Sequence, residues 1–84
     1  MKKLKLAGAT WTIKDTDAIH ELGRTDNDRH VIYVSSRQPK QGQELTFLHE
    51  LVHAILFTMG EMDHDERFVE GFAQLLYQYE QQKV

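Results

Sequence analysis

Cysteine is absent from the 84-residue chain and proline occurs once, at Pro39. No disulfide can staple the fold, although a chain this short buries a smaller share of its surface than a typical domain and often needs a cross-link. The histidines and carboxylates are therefore the candidate staples. Missing thiols favour no redox compartment.

A dominant charge is also lacking. Ten Lys and Arg stand against thirteen Asp and Glu, for a net charge of −3, and they are scattered rather than blocked. Nothing resembles the basic stripe of a nucleic-acid binder. No run approaches the roughly 18 apolar residues of a membrane-spanning helix, so a soluble chain is expected, with neither nucleic acid nor membrane as partner. The segment Met1-Lys2-Lys3-Leu4-Lys5-Leu6-Ala7-Gly8-Ala9 imitates a secretory leader, but Lys5 interrupts the apolar stretch of roughly 7–15 residues that a leader needs. It reads as the first strand of a cytoplasmic protein.

What is present divides the chain in two. Residues 3–6 and 10–14 alternate with period two, placing Leu4, Leu6, Trp11 and Ile13 on one face, and Ala7-Gly8-Ala9 between them is small enough for a hairpin turn. Residues 31–34, Val-Ile-Tyr-Val, are β-branched and aromatic and form the clearest strand. Residues 36–42 read as a polar loop. From Gln43 to about Met59 the period is helical, with Leu45, Leu48, Leu51, Val52, Ile55, Leu56 and Met59 within an arc of roughly 140°. Gly60 is a C-terminal stop. Asp63-His64-Asp65-Glu66 reads as an N-cap with a capping-box acid, opening a second helix to about Gln82 whose apolar face holds Phe68, Val69, Phe72, Ala73, Leu75, Leu76 and Tyr79. The expectation is one α+β domain over 1–84: a small antiparallel sheet of three to four strands, then two antiparallel helices.

The first helix carries His49-Glu50-Leu51-Val52-His53. A chain of this composition contains H-E-x-x-H by accident in roughly 2% of random orders. At i and i+4 on a helix the two imidazoles stand on one face, within reach of one metal ion, beside the apolar arc rather than at its centre. Two histidines occupy two corners of a zinc tetrahedron, and a catalytic site adds one protein ligand and an open corner for water. Zinc lowers the pKa of that water toward neutrality, and Glu50 is the candidate general base.

The longer pattern H-E-x-x-H-x-x-G-x-x-H is not met, since Leu56 and Met59 stand where its glycine and histidine belong. The third ligand is then sought on the second helix. Glu66 has a competing role as capping acid. Glu70 has none, and Gly71 beside it hints at close packing, because a mid-helix glycine costs up to about 1 kcal/mol relative to alanine. Glu70 ranks first, Glu66 second, and His64 or Asp63 after them.

These residues make the sequence resemble a minimal gluzincin, an H-E-x-x-H metallopeptidase with a glutamate ligand on a following helix. Leu48 to Ile55 followed by Glu66 to Leu76 is also similar to short phage- or prophage-type zinc peptidase domains related to the ImmA/IrrE type. The resemblance implies a zincin-like minimal core, zinc held by His49, His53 and Glu70, Glu50 as base, and a peptide or protein substrate. It further implies that the strand at 31–34 is an edge that pairs with an extended substrate. Tyr77, His64 and His30 are the candidates for stabilising an oxyanion. Two rival readings stand beside this one: a non-catalytic zinc-stapled binding or regulatory module, and a latent peptidase whose cleft is covered by its own terminus or by a partner. A protein partner or a homo-oligomer is open on this sequence.

Overall fold

In the computed structural model, which describes residues 2–82, strands β1 (Lys2–Leu6) and β2 (Ala9–Thr16) are joined by a two-residue turn. Ala7 and Gly8 both take positive φ, 51° and 85°, the turn whose twist matches an antiparallel hairpin. Strand β2 runs on through Asp15 and Thr16. Strands β3 (Gly23–Asp26) and β4 (Val31–Ser35) complete a sheet of order β1-β2-β4-β3.

The sheet is mixed. The β1/β2 and β3/β4 pairs are antiparallel, but β2 and β4 run parallel from Thr12 opposite Val31 to Thr16 opposite Ser35. This corrects the expected all-antiparallel sheet. It also corrects the expected edge: residues 31–34 lie in an interior strand, and the sheet ends on β3 instead. The β-branched run that makes β4 the clearest strand is what an interior strand needs, with Ile32 and Val34 both buried.

Helix α1 (Lys40–Thr58) begins three residues before the expected Gln43. Pro39 is its N-cap and offers no side-chain cap, while the Gln43 N–H donates to the Pro39 carbonyl at 3.0 Å. Gln38 ties this end down. Its Nε2 donates to the carbonyls of Leu22 and Ser35 at 3.1 Å each, and its Oε1 accepts from Thr46 Oγ1 at 3.0 Å. The helix stops as expected: Gly60 has φ 89°, its N–H donates to Phe57 O, and that of Glu61 donates to Leu56 O, the paired bonds of a glycine C-terminal cap.

Helix α2 (Glu66–Gln82) starts later than the capping-box reading requires. Asp65, not Asp63, caps it: Asp65 Oδ1 accepts from the Arg67 N–H at 3.0 Å and its carbonyl accepts from the Val69 N–H. Glu66 is thus the first helical residue and has no capping-box role.

The core has two parts with α1 between them. Trp11, Ile32, Val34 and Ala54 pack sheet against α1, joined by Phe47 and Leu51. Val52, Val69 and Ala73 pack α2 on the other side of α1, joined by Leu48, Leu56 and Leu76. The site lies along the flank of α1, where these two layers diverge. Among the described residues no helix is long and apolar enough to cross a membrane.

Candidate metal centre

Helix α1 sets His49 and His53 one turn apart, with ring centroids 5.1 Å from each other. From α2, the Glu66 carboxylate spans both: Oε1 lies 3.4 Å from His49 Nε2 and Oε2 lies 3.3 Å from His53 Nε2. Glu70, one turn further along, meets His49 from the other side of its ring, with Oε2 3.0 Å from Nδ1. Glu70 Oε1 accepts from Gln74 Nε2 at 3.0 Å. Among the described residues, His49, His53 and Glu66 are a group whose ligand atoms all lie within 4.8 Å of one another.

The short contacts show which ring edge each neighbour meets. His64 Nε2 lies 2.6 Å from the Glu61 carbonyl, which only accepts, so Nε2 donates. His64 Nδ1 is 2.6 Å from His53 Nδ1, so one of these two nitrogens donates to the other. This contact uses the Nδ1 edge of His53 and leaves its Nε2 edge to Glu66. His49 likewise meets Glu70 through Nδ1 and Glu66 through Nε2.

Burial pushes the pKa of His53 below its ordinary 6.5, against the opposing pull of the Glu66 and Glu50 charges. The ring is neutral at neutral pH. Two imidazole Nε2 atoms thus converge on one carboxylate, an arrangement that suits a shared cation. It is also the pattern in which a metal-binding imidazole donates its second N–H to a carboxylate or another acceptor. The donor set fits a divalent metal that accepts imidazole and carboxylate ligands.

Glu50 takes a different direction. It is only 8% exposed, and Oε1 accepts a hydrogen bond from Thr25 Oγ1 at 2.7 Å; the same hydroxyl lies 3.0 Å from the Glu50 backbone carbonyl. Gly23, also on β3, makes room for it: a Cβ there would lie 2.6 Å from Thr46 Cγ2, 2.9 Å from Glu50 Cγ and 3.1 Å from Glu50 Oε2. The edge strand β3 is therefore the wall against which Glu50 is held.

Of the remaining sequence candidates, Asp63 is exposed in the connection between the helices. His64 stacks on His53 and touches Phe57. His30 stacks on Trp11 at 4.5 Å, and Tyr77 lines a separate groove with Lys2, Lys14 and Lys40. Gly23 and Thr25 lie in the stretch Leu22-Gly23-Arg24-Thr25-Asp26, which is similar to a strand preceding the zinc helix in ImmA/IrrE-type domains, but the resemblance gives neither a role. Gly23 carries a local signal, since a glycine inside a strand marks a bulge or a close approach; Thr25 carries none.

A family model described as IrrE N-terminal-like domain, Peptidase M78, matches residues 6–82. No curated protein and no solved structure matches the chain.

Proposed function

The chain belongs to the M78 peptidase family of IrrE N-terminal-like domains, and from that membership we propose a zinc-dependent peptidase of the H-E-x-x-H gluzincin kind, built as one zincin-like domain. His49 Nε2, His53 Nε2 and a Glu66 oxygen hold the metal. Glu70 moves from the ligand role expected of it to an orienting one, meeting Nδ1 of His49 as His64 meets that of His53. The observation that carries this reading is the convergence of two Nε2 atoms on one carboxylate.

Zinc, when bound, polarises a carbonyl and lowers the pKa of a water molecule. The chain's own residues do the rest. Thr25 holds Glu50 Oε1, and the carboxylate so held is the group that takes a proton from the attacking water and returns it to the leaving amine. Strand β3 is four residues long and has β4 on one side only. Its free edge offers backbone N–H and C=O groups to an extended peptide.

The burial of Glu50 against β3 favours one second reading: a latent form in which the base reaches substrate only after β3 shifts.

The test pairs two measurements on purified full-length chain. Glu50→Gln should bind zinc like the parent and lose peptide hydrolysis, and activity surviving the change sinks the mechanism. Glu66→Gln should abolish tight zinc binding, whereas Glu70→Gln should weaken it by about 10–100-fold, the usual effect of removing an orienting partner. The opposite ranking restores Glu70 as the third ligand.

A further inference from the structure

Helix α2 has more apolar surface than α1 covers. Val69 and Ala73 are buried, yet Phe68, Phe72, Leu75 and Tyr79 are 50, 46, 67 and 61% exposed. Their spacing is four, three, four, so they form a straight seam of about 16 Å along the helix, the interval that packs one helix against another. Phe68 and Phe72 already touch edge to face, with ring centroids 5.6 Å apart.

Gly71 adds an independent observation. A Cβ at this position would meet nothing within 4 Å, so close packing inside the chain, the expected reason for a mid-helix glycine, is not the reason. On the helical wheel Gly71 flanks the seam on the side away from Val69 and Ala73, where a second backbone could approach.

We propose that this seam is a two-fold interface with a second copy of the chain, the two α2 helices lying antiparallel. A four-three-four seam is symmetric about its centre. In an antiparallel pair Phe72 faces Leu75 of the second copy and Phe68 faces its Tyr79, so one surface is its own complement, as a two-fold contact requires. Charge permits it: a chain of net charge −3 repels its copy except through a neutral face, and the seam is flanked on its outer side by Gly71, Gln78 and Gln82.

The area is sufficient for a modest dimer. At about 200 Å² per side chain, the four residues leave roughly 450 Å² open on each copy. The pair with its flanks reaches about the 1,000 Å² that a specific interface needs. The inference is independent of the metal and of peptidase activity, and it uses no residue of the site.

Sedimentation velocity on the full chain between about 5 and 500 µM, a range suited to a small interface, should show a reversible monomer–dimer equilibrium. Leu75→Glu, Phe72→Lys and Tyr79→Glu should each leave only monomer while the far-ultraviolet spectrum keeps its helical signal, because α2 is anchored on α1 by Val69 and Ala73 and not by these largely exposed side chains. The doubly substituted Phe72→Lys/Leu75→Glu chain should dimerise again, since antiparallel pairing sets each new ammonium against a new carboxylate. A parent chain that stays monomeric throughout, or single variants that dimerise as well as the parent, overturns the proposal. A double variant that stays monomeric overturns the antiparallel pairing.

Discussion

Replacing Thr25 by valine keeps the volume and shape of the side chain and removes only its hydroxyl. In the native chain that hydroxyl donates to a carboxylate 2.7 Å away on a residue that is 8% exposed, where water cannot readily take its place. A hydrogen bond to a charged group contributes about 1.5–3 kcal/mol, and an orphaned acceptor bears its desolvation cost in full. Each kcal/mol moves the midpoint of a domain of this size by about 4–8 °C, so Thr25→Val should melt roughly 10–20 °C below the parent. The measurement is best made in chelator, because a metal that binds only the folded state would add its own stabilisation. The substitution should then be repeated in a Glu50→Ala background, where the hydroxyl keeps only the backbone carbonyl of residue 50, at 3.0 Å in the parent, and its loss should cost only about 1 kcal/mol. Equal losses in both backgrounds, to within about 0.5 kcal/mol, would refute the claim that Thr25 holds the Glu50 carboxylate. If it does hold it, Thr25→Val should also lower kcat by up to about 100-fold with little change in KM, the effect of misplacing a catalytic group by about 1 Å.

Two further outcomes follow from packing and from titration. Val69→Ala removes two methyl groups from a fully buried side chain that, with Ala73, packs α2 on Val52 of α1, and should cost about 2–3 kcal/mol in guanidinium unfolding; a loss below about 1 kcal/mol would mean that α2 does not unfold together with the rest. The metal-free chain should lose stability as pH falls below 6.5, since burial depresses the His53 pKa and the unfolded chain binds that proton first. The contribution is complete above 6.5 and disappears as pH falls through the folded-state value, so melting temperatures between pH 8 and 5 should decline less steeply for His53→Gln.

The fold was legible where local periodicity decides it. Alternation marked β1 and β2, β-branched and aromatic content marked β4, and the 3.6-residue repeat marked both helices and set the two histidines on the flank of α1. Orientation was not legible, because the pairing of β2 with β4 is made across residues 17–30 and a period of two is the same in either direction. The start of α1 was hidden by Pro39 and Gly42, which read as loop residues; proline suits a helix N-terminus, and Gln38 supplies the bonds that hold it there. On α2, seven apolar residues cover too wide an arc for a wheel to say which half turns inward. The answer depends on where α1 lies, and α1 takes the Val69–Ala73 side.

The site shows how a small local error propagates. Asp63 and Asp65 are equally good N-caps by type, and the choice between them assigns Glu66 either to a capping box or to the first turn with its side chain free. The structure places the cap on Asp65, which releases Glu66 to reach both Nε2 atoms. Glu66 and Glu70 are one turn apart on the same stripe of α2, so spacing brings both to His49 and cannot rank them. What separates them is the ring itself: an imidazole has two nitrogens on different edges, and Glu70 meets Nδ1 of His49 while Glu66 meets Nε2 of both rings. The ranking therefore depends on side-chain direction, which a pattern of residue types does not encode, whereas the pair His49 and His53 needs only a helix to be brought together.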